Sequence, residues 1–119
     1  MIQIYHNSRC GKSRNCLAVI QKLNLEHETI NYLVDIQSFE KISEILENLG
    51  IKPIDLIRKK EKIWTDNFKN KKISDKEIIQ AMVENPILIE RPILVYKNKA
   101  IIARELSEIE IFLKKNNLI

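Results

Sequence analysis

The order of strand and helix patterns constrains the fold of this chain more than any other feature. The N-terminal IQIYH alternates apolar and polar residues and predicts a strand, and an amphipathic helix is predicted over about 11–24. HETINYLV is rich in β-branched and aromatic residues and predicts a second strand. Near the C terminus, PILVYKNKAIIA predicts a hairpin with its turn at 97–99, and SEIEIFLKKNN predicts a closing helix capped at Ser107.

Three further helical patterns lie between the second strand and the hairpin. SFEKISEILENLG has Ser38 as a cap candidate and Gly50 as a stop. KPIDLIRKKE begins another helical pattern, with Pro53 in its first turn. SDKEIIQAMVENP predicts a helix that is capped at Ser74 or Asp75 and ends before the next proline.

This order predicts an α/β protein with a thioredoxin-like core. Its outer parts, β-α-β and β-β-α, form the minimal layout of that fold around a mixed central sheet. We expect one domain over 1–119, with the core at about 1–35 and 86–119 and a helical insertion at about 38–85.

The composition is that of an ordinary soluble globular protein. Apolar residues make up 45% of the 119 residues and charged residues 30%. The net charge of +4 comes from interspersed charges without alternating aromatic and basic residues, so we do not expect nucleic-acid binding. There is no apolar run of transmembrane length and no signal-peptide pattern, so we expect a cytoplasmic protein without a membrane partner, and most simply a monomer.

The segment HNSRCGKSRNC carries the clearest chemical signal. Cys10 lies between the first strand and the first helix, where free backbone N–H groups favour a thiolate and attract oxyanions. Gly11 would let a ligand approach the backbone, and Ser13 could donate a hydroxyl hydrogen bond to the sulfur. Three cations accompany the cysteine: Arg9, Lys12 and Arg14. These features predict a nucleophile beside an anion site, with an inert thiol in a basic turn as the alternative.

Two cysteine motifs are excluded by spacing. A phosphatase-type loop needs arginine six residues after the cysteine, and that position is Cys16. A dithiol redox motif needs cysteine three residues after it, and that position is Ser13. Six helical residues separate the two cysteines by a rise of about 9 Å, beyond disulfide reach. We therefore interpret Cys16 as a packing residue rather than a resolving thiol, and expect electrons from another molecule.

His6 lies just before this segment and has two interpretations. It either tunes the thiolate and moves a proton near neutral pH, or it is a strand-end histidine bonded to the backbone. Even with His6, two cysteines are too few for a closed zinc site, so no metal is expected.

Three arginines outside the segment are candidates for anion binding. Arg91 interrupts the almost wholly apolar NPILIERPILV, where a cation needs a partner or a function. It precedes a proline at the place before the third strand where thioredoxin-like folds have a cis proline, so the expected fold implies a cis bond here. Arg104 follows the strand AIIA, where a neighbouring glutamate is its simplest alternative partner. Arg58 lies in LIRKKEK, for which a solvated basic helix face is the alternative. The planar fork of arginine can bind two oxygens of an oxyanion at once.

The motifs YHNSRCGKSRN, LIRKKE, NPILIERPILV and ARELSE, in this order and spacing, resemble the glutaredoxin-coupled arsenate reductase family of the ArsC type. The resemblance covers nearly the whole chain. Ser8 stands where that family usually has proline.

The resemblance implies a reaction and a set of residues. The cysteine matching Cys10 attacks arsenate, and the histidine matching His6 lies beside the thiolate. The arginines matching Arg58, Arg91 and Arg104 hold the oxyanion. The backbone from Gly11 through Ser13 to Arg14 stabilises thiolate and oxyanion. No cofactor is bound; glutathione is the co-substrate, and glutaredoxin resolves the mixed disulfide as arsenite leaves.

Two alternatives stay open beside this prediction. The first is a glutathione-dependent thiol reductase that acts on another substrate. The second is a non-catalytic interaction protein like the Spx-type regulators that bind RNA polymerase. Those relatives usually carry cysteine three residues after the first one, so Ser13 disfavours the second alternative.

Overall fold

The computed structural model describes the whole chain, Met1–Ile119, as two compact units. The first unit combines Met1–Asp35 with Arg91–Ile119, and the second is the continuous segment Ile36–Glu90. The expectation of a single domain with a helical insertion stays a prediction. None of the helices combines the length and the apolar character needed to cross a membrane.

The first unit is built on a four-stranded mixed sheet. Its strands are β1 (Ile2–His6), β2 (His27–Asn31), β3 (Ile93–Tyr96) and β4 (Lys99–Ile102), in the order β2-β1-β3-β4. β1 is parallel to β2 and antiparallel to β3, and β3 is antiparallel to β4. Helix α1 (Gly11–Lys22) connects β1 to β2, and α5 (Leu106–Lys115) follows β4. The predicted β-α-β and β-β-α halves and their mixed sheet are confirmed.

One apolar core joins the sheet to α1 and α5. It consists of Ile2, Ile4, Cys16, Ile20, Leu94, Ala103, Ile109, Phe112 and Leu113. Ile4 of β1 is paired with Leu94 of β3, so these side chains belong to the same face of the sheet. Both helices therefore pack on that face, and the turn between β1 and α1 is anchored at both of its ends.

The second strand is shorter than predicted. It ends at Asn31, and the residues that follow form a turn instead of continuing the strand. The Asn31 carbonyl accepts hydrogen bonds from the N–H groups of Val34 and Asp35, while its side-chain oxygen accepts one from Leu33. These local hydrogen bonds to Asn31 take the place of the strand pairing that would otherwise continue.

The turn of the C-terminal hairpin is one residue shorter than predicted. Tyr96 pairs with Lys99, so only Lys97 and Asn98 form the connection. Lys97 has a φ of 54°, the positive value that two-residue hairpin turns require at their first position.

The closing helix begins two residues earlier than predicted. Its N-cap is Glu105 rather than Ser107, because the Glu105 carbonyl already accepts the N–H of Ile109. No side chain caps this end of the helix.

The second unit contains three α-helices and two single 3-10 turns. They are α2 (Phe39–Leu49), a 3-10 turn (Pro53–Leu56), α3 (Lys62–Asn67), α4 (Asp75–Glu84) and a 3-10 turn (Pro86–Leu88). The cap at Ser38 and the stop at Gly50, which has a φ of 68°, are confirmed. Of the two predicted cap candidates for α4, Ser74 is the N-cap, and it forms a capping box with Glu77.

The prediction of a helix that begins at KPIDLIRKKE is wrong. After its 3-10 turn the chain extends, and Ile57 forms an antiparallel bridge with Ile89. The Arg58 N–H donates to the Leu88 carbonyl at 2.7 Å, and the Glu90 N–H donates to the Leu56 carbonyl at 2.8 Å. The backbone groups that a helix would pair internally are thus used by a distant segment. The sequence pattern also does not predict α3.

Candidate active site

A hydrogen-bonded turn presents Cys10 at the start of α1. The Cys10 N–H donates to the Asn7 carbonyl at 3.0 Å, and the Arg9 N–H donates to the Asn7 side-chain oxygen at 2.9 Å. Cys10 is the N-cap of α1, and its carbonyl accepts the first helical hydrogen bond, from Arg14 at 3.0 Å. Its thiol therefore lies where the first N–H groups of the helix have no helical partner.

The surroundings of Cys10 favour its thiolate. Burial of the sulfur raises its pKa, but the backbone N–H of Ser13, the Arg91 guanidinium and the backbone N–H of Lys12 together lower the pKa by more. The pKa of Cys10 is therefore below the ordinary value for cysteine. This agrees with the effect expected of a helix N-terminus and a nearby arginine.

Arg91 is the buried cation of this site. Only 9% of its surface is exposed, and its Nε and Nη1 atoms have no hydrogen-bond partner in the protein. The peptide bond between Arg91 and Pro92 is cis, as predicted. Buried N–H groups on a charged side chain are costly unless they are paired. These two donors therefore mark a position where an anion would be strongly favoured.

Arg104 and Arg14 each donate a side-chain hydrogen bond to a backbone carbonyl of the segments that carry Arg91 and Cys10. Nη1 of Arg104 donates to the Arg91 carbonyl at 2.7 Å, instead of pairing with a glutamate. Nη1 of Arg14 donates to the Ser8 carbonyl at 3.1 Å, which holds the turn before the cysteine. The structure thus connects Cys10, Arg91 and Arg104 within the first unit.

Gly11 is the first residue of α1. A Cβ atom at this position would meet only Nη2 of Arg14, at 3.7 Å, which is an ordinary contact. No protein atom therefore requires glycine here, and its part in ligand approach stays a prediction.

The Ser13 hydroxyl does not have the partner that we expected. It is fully buried, lies 2.5 Å from Nδ1 of His6, and accepts the Asn7 N–H at 3.0 Å. The influence of Ser13 on Cys10 comes from its backbone N–H instead. The physical reason is that His6 and Asn7 are themselves buried and need a partner, which the hydroxyl supplies.

His6 is bonded to a side chain, which neither interpretation of the sequence considered. Burial lowers its pKa, and the positive charge of Arg14 lowers it further. The neutral form of His6 is therefore favoured, and the Ser13 hydroxyl is its hydrogen-bond partner. Its direct part in catalysis stays a prediction.

Cys16 is a core residue, as the sequence analysis predicted. It is 0% exposed, and burial raises the pKa of its thiol to about 12. It is thus neither accessible nor ionised at neutral pH.

Arg58 belongs to the second unit. Its Nε donates to Glu61 at 3.2 Å, and both side chains are mostly buried. The alternative of a solvated helix face is wrong, because Arg58 lies outside any helix and has an acidic partner. Its part in oxyanion binding stays a prediction.

Asn7 is the site residue that the sequence analysis missed. It is 4% exposed, and three of its groups bond to the turn and to Ser13. The available signal was an asparagine at the first position of a short polar turn, which commonly bonds the backbone two residues on. No group of three or more His, Cys, Asp or Glu side chains is placed to hold a metal ion.

Comparison with known proteins shows similarity over nearly the whole chain. A family model described as the ArsC family matches residues 5–112. The uncharacterized protein YfgD of Escherichia coli is 38% identical over 105 residues, which are 87% of this chain and 88% of YfgD. A protein of Acidiphilium multivorum named arsenate reductase is 36% identical over 95 residues, which are 79% of this chain and 67% of that protein.

The solved structures agree with this similarity. A structure titled arsenate reductase from Vibrio cholerae matches with a TM-score of 0.83 and 33% identity, covering 95% of each chain. The fold of the present chain is thus the thioredoxin-like fold of these relatives, as predicted.

Proposed function

The chain belongs to the ArsC family, and from that premise we propose that it reduces arsenate to arsenite. The names of several relatives support this reaction. The observation that carries the proposal is the pair of buried, unpartnered N–H groups of Arg91 beside a cysteine whose pKa is lowered. A thiolate next to unpaired cationic donors suits a nucleophile that attacks a bound oxyanion.

In the proposed reaction the Cys10 thiolate attacks arsenic. A sulfur–arsenic bond forms, an arsenic–oxygen bond breaks, and the departing oxygen takes protons and leaves as water. Arg91 and Arg104 hold the remaining oxygens, with Arg58 as a third candidate. The helix start, from Gly11 onward, stabilises the negative charge.

The electrons come from outside the chain in this proposal. Reduction of arsenic(V) to arsenic(III) takes two electrons, which two thiols supply as they are joined in a disulfide. Cys16 is buried and protonated, so it is unsuited to be the second thiol. We propose glutathione as that thiol and glutaredoxin as the protein that reduces the resulting disulfide. Such thiol donors are kept reduced in the cytoplasm, which is where we expect the protein to act.

Arsenate-dependent oxidation of NADPH, with glutathione, glutaredoxin and glutathione reductase present, tests the proposal. We expect turnover in the wild type and none in Cys10→Ser. Cys16→Ala is the matched control, and it should retain turnover if it folds. Turnover that persists in Cys10→Ser would contradict the mechanism. If the wild type shows no turnover while Cys10 still reacts rapidly with a thiol probe, either arsenate is not the substrate or glutathione with glutaredoxin is not the donor.

A further inference from the structure

The turn at residues 7–10 connects β1 to α1 and ends at Cys10. It is closed by the hydrogen bond from the Cys10 N–H to the Asn7 carbonyl at 3.0 Å. A second bond lies inside the turn, where the Arg9 N–H donates to the Asn7 side-chain oxygen at 2.9 Å. An asparagine side chain that accepts the N–H two residues on restrains the backbone between them. Asn7 thus holds the turn with both its backbone and its side chain.

The direction of the Cys10 side chain depends on this turn. Cys10 is the N-cap of α1, and its φ of −96° and ψ of 123° are extended rather than helical. Its carbonyl is held by the helix, because it accepts the Arg14 N–H, whereas its own N–H is held by the turn. These two bonds together keep Cys10 extended, and thus set where its sulfur lies relative to the start of α1.

The place of the sulfur matters because most of its favourable contacts are with backbone groups. Burial raises the pKa of Cys10, while the Ser13 N–H, the Arg91 guanidinium and the Lys12 N–H together lower it by more. Two of these three groups belong to the first turn of α1, and their directions are fixed by the helix. Hydrogen bonds weaken steeply when distance or angle changes, so a small displacement of the sulfur would weaken both.

We propose that Asn7 is a positioning residue, whose side-chain oxygen keeps the turn closed so that the Cys10 sulfur stays against the N–H groups of Lys12 and Ser13. Asn7 is only 4% exposed, so water has little access to compete with Arg9 for that oxygen. The next residue is Ser8, whose φ is not fixed by a ring as that of proline is, so the turn needs another restraint. The proposal rests on the proposed function only in taking Cys10 as the nucleophile.

Asn7→Ala removes the side-chain acceptor and leaves the backbone groups of the turn in place. The chain offers a matched control at the end of the neighbouring strand, β2. There the side-chain oxygen of Asn31 accepts the Leu33 N–H at 3.3 Å, which is the same type of bond to the residue two positions on. Asn31→Ala therefore removes an equivalent bond from a turn that does not carry Cys10.

Alkylation by iodoacetamide across a range of pH, followed by intact mass, tests the proposal without arsenate. Cys16 is buried and its thiol is protonated, so the label enters at Cys10. The midpoint of the pH profile measures how well the thiolate is stabilised, and Arg91, the charged side chain that also lowers the pKa of Cys10, is unchanged in these variants. The rate above the midpoint measures the access and nucleophilicity of the thiolate. Urea unfolding measures the structural cost of each variant separately.

We expect Asn7→Ala to raise the midpoint by about 0.5–1 pH unit, which corresponds to about one lost interaction with a helix N-terminus. Below the midpoint the rate should fall about two- to fourfold. Above it the rate should equal or exceed that of the wild type, because a thiolate of higher pKa is the stronger nucleophile. Asn31→Ala should keep the wild-type midpoint even where it is less stable in urea. A midpoint that is unchanged in Asn7→Ala, or that rises equally in both variants, would overturn the proposal.

Two further variants keep the test valid if Asn7→Ala folds poorly. Asn7→Leu fills the buried space without an acceptor and should raise the midpoint as alanine does; a wild-type midpoint there would overturn the proposal. Ser8→Pro restrains the same turn with its ring, so adding it to Asn7→Ala should reverse at least half of the rise. If Ser8→Pro alone is stable and the double variant keeps the full rise, Asn7 does not act through the turn and the proposal fails. If the midpoints behave as expected while arsenate turnover is absent, the proposed function fails and the role of Asn7 stands.

Discussion

Replacing Ser13 with alanine removes a hydroxyl that holds two other buried groups. Ser13 is fully buried, its oxygen lies 2.5 Å from Nδ1 of His6, and it accepts the Asn7 N–H at 3.0 Å. His6 and Asn7 are only 8% and 4% exposed. The substitution therefore leaves one atom of each without its partner in a place with little access to water.

The size of the effect follows from these two losses. A buried polar group that loses its partner costs about 1–3 kcal/mol, so the two together cost about 2–6 kcal/mol. Alanine is a better helix former than serine and offsets about 0.5 kcal/mol of this. We expect the free energy of unfolding to fall by about 1.5–5.5 kcal/mol. Because domains of this size are stable by about 5–15 kcal/mol, a folded population should persist for measurement.

Urea unfolding followed by far-UV circular dichroism measures this difference. Ser43→Ala is the control, because Ser43 also lies in a helix and its hydroxyl donates to the Phe39 carbonyl at 2.9 Å. That hydroxyl bonds a carbonyl of its own helix and leaves no buried donor behind, so its removal should cost below about 0.5 kcal/mol. Equal losses in the two variants, both under about 1 kcal/mol, would refute the role given to Ser13.

Three further outcomes are expected. The rate of Cys10 alkylation by iodoacetamide should fall as pH drops through the lowered pKa of the thiol. Arg91→Leu should move this transition to higher pH. An unchanged pH profile in that variant would show that Arg91 does not lower the pKa of Cys10. Ser8→Pro should raise the free energy of unfolding, measured in urea, by about 0.4–1 kcal/mol. Ser8 is the second residue of the turn closed by the bond from the Cys10 N–H to the Asn7 carbonyl, a position where proline is favoured. Destabilisation would show that the backbone there does not fit proline. Gly50→Ala should lower the free energy of unfolding by about 1 kcal/mol. The reason is the backbone alone, since Gly50 has a φ of 68° and an added Cβ would meet nothing within 4 Å. An unchanged free energy of unfolding would contradict this backbone cost.

The parts of the fold that the sequence predicts correctly depend on neighbouring residues. The cap at Ser38, the stop at Gly50 and a cap at Ser74 are formed within a few residues, and all three are observed. The β1–α1 connection is predictable for the same reason, because β1 alternates and a polar turn precedes an amphipathic helix. Cys10 is consequently placed at the helix start by local pattern alone.

The errors occur where distant groups compete with local preference. The segment around Arg58 carries a helical pattern, but its backbone pairs with residues near Leu88, which no local pattern contains. The direction of the Ser13 hydroxyl is a similar case, since it depends on His6 being buried at the end of β1. The residue types of a site are therefore easier to predict than which atom of each residue meets the ligand.

Arg91 and Cys10 are best understood as one electrostatic unit. A guanidinium that is only 9% exposed is costly without an anion, and the Cys10 thiolate is the anionic group it acts upon. In the proposed reaction the sulfur gives up its negative charge when it bonds to arsenic, and the arsenic-bound oxygens then carry the charge. Arg91 could pair first with the thiolate and then with the arsenic-bound oxygens, because a planar guanidinium presents several donors at once and its Nε and Nη1 are still unpaired. The same cation would thus stabilise the nucleophile first and the bound oxyanion afterwards, which explains why an almost wholly apolar segment contains an arginine.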